Sequence, residues 1–153
     1  MNSKILRQLL SFLAALVVTA PLFAGTPEQE KEFVAKYKTA FEAGDKATLQ
    51  SFLYTKGANP MALEFYKMMQ EDGVGGKLKS IELLPLTPED VAKAEKVQDG
   101  PNGVKFRMPL KPVKKLKLTV ETKTGDSTST SSAEILIAEN DGKFVIPVPV
   151  DAK

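Results

Sequence analysis

Apolar residues change their spacing part-way along this chain, and that change restricts its fold more than any single motif does. Phe33, Tyr37, Ala40 and Phe41 recur at the interval of one helix face, whereas from Gly103 onward apolar residues fall on alternate positions, as in a half-buried strand. Val104, Phe106, Met108 and Leu110 share one side of a first strand, and Leu116, Leu118 and Val120 one side of a second. Ile135 and Ile137, then Phe144, Ile146 and Val148, continue the alternation. Helices followed by strands define an α+β fold.

Boundary residues sharpen this reading. Thr26, Pro27 and Gln29 form a capping-box pattern that opens a first helix, and Gly44 is a natural stop. Asp45 can cap a short second helix presenting Leu49, Phe52 and Leu53. Asn59-Pro60 opens a third helix over Met61 to Gln70, halted by the glycine-rich run Gly73 to Gly76. A strand is expected over Leu78 to Leu84, and Thr87-Pro88-Glu89-Asp90 caps a short helix reaching Val97. Turns at Lys111-Pro112, Gly125-Asp126 and Asn140-Asp141-Gly142 predict an antiparallel meander, in which Pro147 and Pro149 favour an edge or frayed end for the last strand.

Residues 1–24 read as a secretory signal peptide. Lys4 and Arg7 precede the apolar run Leu9 to Val18, broken only by Ser11, and Pro21 follows. Cleavage is expected after Ala24. Leu22 is larger than the ideal residue two places earlier, which leaves a cut after Gly25 as the alternative, and Pro21 disfavours one after Ala20. A spanning helix needs about 20 apolar residues, so no stable membrane anchor is expected after cleavage. Thr26 stands where a lipid-bearing cysteine would have to be, so the protein is not expected to be a lipoprotein. The expected destination is the bacterial periplasm or the medium.

Loss of the leader leaves residues 25–153 as one α+β domain and changes the charge balance. The chain carries 21 basic and 19 acidic side chains, and Lys4 and Arg7 depart with the leader, so the remainder is neutral overall. Nucleic-acid binding, which needs a persistent positive field, is not expected. The chain has no cysteine, histidine or tryptophan, so neither disulfides nor thiolate or imidazole metal sites can brace it. No cofactor and no metal are expected, and stability must come from an apolar core.

The stretch Phe33 to Phe52, FVAKYKTAFEAGDKATLQSF, resembles the opening helices of the nuclear transport factor 2-like superfamily, ketosteroid isomerase in particular. The resemblance lies in its apolar spacing and Ala-Gly-Asp corner, and Leu63 to Tyr66 is similar to the third helix. It implies a cone, a curved antiparallel sheet folded around N-terminal helices and often enclosing an apolar cavity. Tyr37 lies where the isomerase places its oxyanion-donating tyrosine. The hairpin that carries the isomerase's aspartate base is missing: Tyr54 to Pro60 is too short for it, and the base position falls at Pro60. An oxyanion donor without a base cannot abstract a proton.

These observations favour a non-catalytic binding or accessory domain. Its candidate pocket is Tyr37, Phe41, Glu64, Tyr66 and Met69, open to a small apolar ligand. Glu64 would be a usable acid or base if buried, or an ordinary surface partner of Lys67 if not. Met61, Met68, Met69 and Met108 could line an adaptable cavity, hold a soft metal, or simply pack the core. An isomerase- or lyase-like enzyme using Tyr37 and a pocket carboxylate is one alternative. Gly73 to Lys77 fails the phosphate-loop pattern, with Glu71 and Leu78 at the required Gly and Ser/Thr positions, and reads as a connector.

A basic face is the remaining candidate. If two strands pair through the Lys111-Pro112 turn, Lys105, Arg107, Lys115 and Lys117 share one outer side. They could dock an anionic envelope component, or form a solvated face that resists aggregation. A homodimer through an apolar outer face of the last two strands completes the set of alternatives.

Overall fold

The protein is described by a computed structural model covering residues 25–152. The expected leader lies outside the described residues. Helices α1 (Pro27–Ala43), α2 (Lys46–Ser51), α3 (Pro60–Glu71) and α4 (Pro88–Glu95) largely precede the long strands, and the fold is α+β. The strands are β1 (Leu53–Tyr54), β2 (Lys77–Pro85), β3 (Gln98–Asp99), β4 (Lys105–Arg107), β5 (Pro112–Thr124), β6 (Ser127–Asn140), β7 (Lys143–Pro147) and β8 (Val150–Asp151).

Each helix begins where its capping residues dictate. Thr26 and Gln29 close a reciprocal capping box on α1, and Thr87 and Asp90 do so on α4. Asp45 accepts from Thr48 at the start of α2, and Asn59 accepts from Met61 and Ala62 at the start of α3. Gly44 ends α1 at φ 71°, a left-handed conformation costly for a residue with a side chain. The fourth helix stops at Glu95, short of Val97, which is exposed.

Five strands form a curved mixed sheet in the order β1-β7-β6-β5-β2. Most pairs are antiparallel, but β1 runs parallel to β7. Leu78 and Ile81 both need the core side of β2 although they stand three positions apart, an odd spacing that alternation would put on opposite faces. A register shift between Leu78 and Ser80 supplies the extra residue, setting Leu78 opposite Val120 and Ile81 opposite Leu118. The β6–β7 connection turns on Asp141 and Gly142, both at positive φ, 50° and 72°, as a two-residue hairpin of the primed type requires.

Two strand expectations are corrected. Only Lys105–Arg107 of the Val104–Leu110 segment is a strand, and it pairs with β3 and β8 in a separate three-stranded sheet rather than with β5. Nor is β7 at an edge. Ile146 donates to the Phe52 carbonyl at 2.8 Å and Val148 to that of Tyr54 at 3.2 Å, so alternate residues bond β1. The donor-less nitrogen of Pro147 falls between them, beyond the last β6 pairing at Val145, which is why proline is tolerated there.

One apolar cluster joins the layers. Phe33, Tyr37, Ala40 and Phe41 of α1 and Leu49 of α2 lie against Leu116, Leu118, Val120, Ile135, Ile137, Phe144 and Ile146 of the sheet. Full burial of such side chains contributes about 1.5–3 kcal/mol each. At the far end, Asn59 fastens α3 to the chain's last strand: its amide nitrogen donates to the Pro149 carbonyl at 3.0 Å and its Nδ2 to Asp151 at 2.7 Å.

Candidate functional site

The five residues expected to line a pocket do not converge on one. Tyr37 and Phe41 are packed into the core, 1% and 2% exposed, because the α1 face that carries them lies against the sheet. Glu64 is exposed and pairs with Lys67 at 2.9 Å, one helical turn away. Tyr66 is half-buried on the inner side of α3, and Met69 borders a surface depression with Phe65 and Met68. The polar neighbour of Tyr37 is the Gln70 amide rather than a carboxylate. Gln70 is buried, its Nε2 donates to the Leu49 carbonyl at 3.1 Å, and its Oε1 has no partner among the described residues. Burial pushes the Tyr37 hydroxyl up to about 12, only partly offset by the Gln70 amide, and raises Tyr66 for the same reason. A neutral phenol beside an amide is not by itself an acid–base pair.

The basic face is likewise taken apart, because β4 and β5 belong to different sheets. Lys105 pairs with Asp99 at 2.9 Å, and Arg107 is exposed on β4. Lys115, with a side chain only 13% exposed, bridges Asp90 at 3.1 Å and Glu134 at 3.0 Å. Lys117 stands in register between Glu82 of β2 and Glu134 of β6. Thr87 hydrogen bonds, backbone first, together with Lys115, hold the Asp90 carboxyl down at about 2, and Glu134 and then Asp90 raise Lys115. This network tethers the start of α4 to the outer face of the sheet.

The glycine-rich connector also spends its amides internally. Val74 donates to Glu71, Gly75 to Phe41 and Gly76 to Gly73, so these three amides are not free to cradle a phosphate.

A cleft of about 660 Å³ opens instead between α1, α2 and the β6–β7 hairpin. Its floor is aromatic: the Phe33 ring lies 5.2 Å from Phe52, edge to face, and 5.7 Å from Phe144, with Tyr37 behind at 5.6 Å from Phe52. Gln29, Glu32 and Lys36 on α1, Thr48 and Ser51 on α2, and Lys143 on the hairpin supply a polar rim. Glu32 and Lys36 close an ion pair at 2.7 Å, which lowers the Glu32 carboxyl, first through that hydrogen bond and then through the lysine's charge. The size falls within the usual 300–1,000 Å³ of small-molecule sites. Sequence reasoning found Phe33 and Phe144 as core residues but missed the cleft, since its helical walls and its hairpin wall lie 90 or more positions apart.

A second surface feature is apolar. Met61, Phe65 and Met68 are 44%, 54% and 64% exposed and follow one another along one side of α3. With Val97 they make up the exposed large apolar side chains among the described residues, and none lies on β6 or β7, where an apolar dimer face was expected. No family model and no curated protein matches this chain.

Proposed function

We propose that this chain is an exported, non-catalytic binding domain of nuclear transport factor 2-like type that takes a small, largely apolar ligand in the cleft between α1, α2 and the β6–β7 hairpin. The observation that carries the reading is the floor of Phe33, Phe52 and Phe144 beneath a polar rim, an arrangement that favours a ligand with an apolar body and a polar end. The leader-like residues 1–24 and the helical motif Phe33 to Phe52 support export and fold type. The enzyme alternative has less support, since Tyr37 faces Gln70 and Glu64 lies outside with Lys67. The anionic-partner alternative is weakened by acidic residues matched to Lys105, Lys115 and Lys117.

Titration of the isotope-labelled protein with indole, followed by amide chemical shifts, tests the site. Shifts should concentrate at Thr48 to Phe52 and Gly142 to Val145. Ser51→Trp places a large ring at the rim from an exposed position and should reduce indole affinity at least tenfold, about 1.4 kcal/mol. Shifts spread evenly over the surface, or unchanged by Ser51→Trp, would count against the cleft.

A second reading, a homodimer, is favoured by α3. Two copies of the helix packed antiparallel about Phe65 would set Met61 against Met68 of the partner subunit. The same geometry would bring Glu64 beside Lys67 of the partner subunit, so the charge pattern on this side of the helix is self-complementary.

A further inference from the structure

Gly25 occupies the seam between the leader-like segment and the folded domain, and the fold holds it closely. Its backbone nitrogen donates to Glu139 Oε2 at 3.2 Å, across 114 residues of chain. A Cβ at this position would run into the Phe144 ring, and the φ of 49° is left-handed, so space and backbone conformation both favour glycine. The next residues continue the attachment. Thr26 donates through its backbone nitrogen to Gln29 Oε1 at 2.6 Å, and Gln29 Nε2 donates to the Gly142 carbonyl at 3.1 Å. The first turn of α1 is thereby fastened to the β6–β7 hairpin that supplies Phe144 to the cleft.

We infer that this is the docking site of a new chain terminus created by processing. The inference rests on the export reading. An export-coupled endopeptidase hydrolyses the Ala24–Gly25 bond: water adds across the peptide link, Ala24 keeps a carboxylate, and Gly25 gains an α-ammonium group. The nitrogen that was a neutral single donor becomes a cation with three N–H groups beside the Glu139 carboxylate. Charge-assisted hydrogen bonds are roughly twice as strong as neutral ones. Processing therefore tightens the contact that fixes α1 to the hairpin and sets one wall of the cleft. Cleavage one residue later removes the nitrogen from Glu139 altogether.

The test starts from the full chain expressed with its own leader. Intact mass of the exported protein should place its first residue at Gly25; an exported protein beginning at Thr26 overturns the inference while leaving export standing. Absence of any exported, shortened protein instead defeats the export reading beneath it. Glu139→Gln is then measured in the processed protein and in the uncleaved full chain, each by urea unfolding. In the processed protein it should lower the folding equilibrium constant about three- to tenfold, the range of a partly exposed ion pair, and clearly less in the uncleaved chain. An equal loss in both shows that Glu139 serves only the backbone amide and overturns the ion pair.

Discussion

Tyr37 illustrates what a single side chain does here. It sits in the core among Phe33 and Phe52, and its hydroxyl is pushed up to about 12 by burial. The native protein therefore keeps the phenol proton at pH values where the unfolded chain has lost it, so stability falls as pH rises from about 10 to 12, by on the order of 2–3 kcal/mol. Urea midpoints across that range should drop more steeply in the parent than in Tyr37→Phe, and parallel curves would contradict this assignment. Tyr66, also raised, adds a decline of the same sign that both proteins share. The residue-scale reading of the sequence was good where the interaction is local. The capping residues Thr26, Asp45, Asn59 and Thr87 and the Glu64–Lys67 pair all involve neighbours within a helical turn. It failed for Gly25 with Glu139, and for Lys115 with Asp90 and Glu134, because those partners meet only after distant segments pack.

Among elements, alternation told which side of a strand is apolar but not which strand lies beside it. Lys111-Pro112 has turn chemistry, and a hairpin between β4 and β5 was the local inference. Instead Phe106 pairs with Gln98 and Asp151, while Lys115 and Lys117 face β2 and β6. The expected basic face is split between two sheets for that reason. The third helix poses the opposite problem, since its capping and length were legible while its apolar outer side was not. Ala62 and Gln70 face inward, leaving Met61, Phe65 and Met68 exposed. Exposed apolar patches of this kind mark interaction surfaces. If α3 pairs with a second copy, sedimentation should show a concentration-dependent dimer that Phe65→Glu abolishes. Because Phe65 is already half-exposed, its unfolding midpoint as a monomer should shift little, within about 0.5 kcal/mol. A parent protein that stays monomeric at high micromolar concentration removes this reading.

For the whole molecule, the helical half and the sheet half meet in one apolar core, and the cleft forms at a corner where three elements leave an opening. Tyr37 and Phe41, expected to line an interior cavity, fill that space instead, and the proposed binding surface is the outer cleft over Phe52 and Phe144. The resemblance in the first helices pointed to a pocket; packing of the sheet against α1 determined where it could lie. Native mass spectrometry of the protein purified from the exported fraction, beside its Ser51→Trp variant, tests the central claim most directly. The account predicts a reproducible small-molecule adduct on the parent that is lost or sharply reduced in the variant. An adduct carried equally by both proteins, or a bare parent that also fails to bind indole at the cleft, would contradict it.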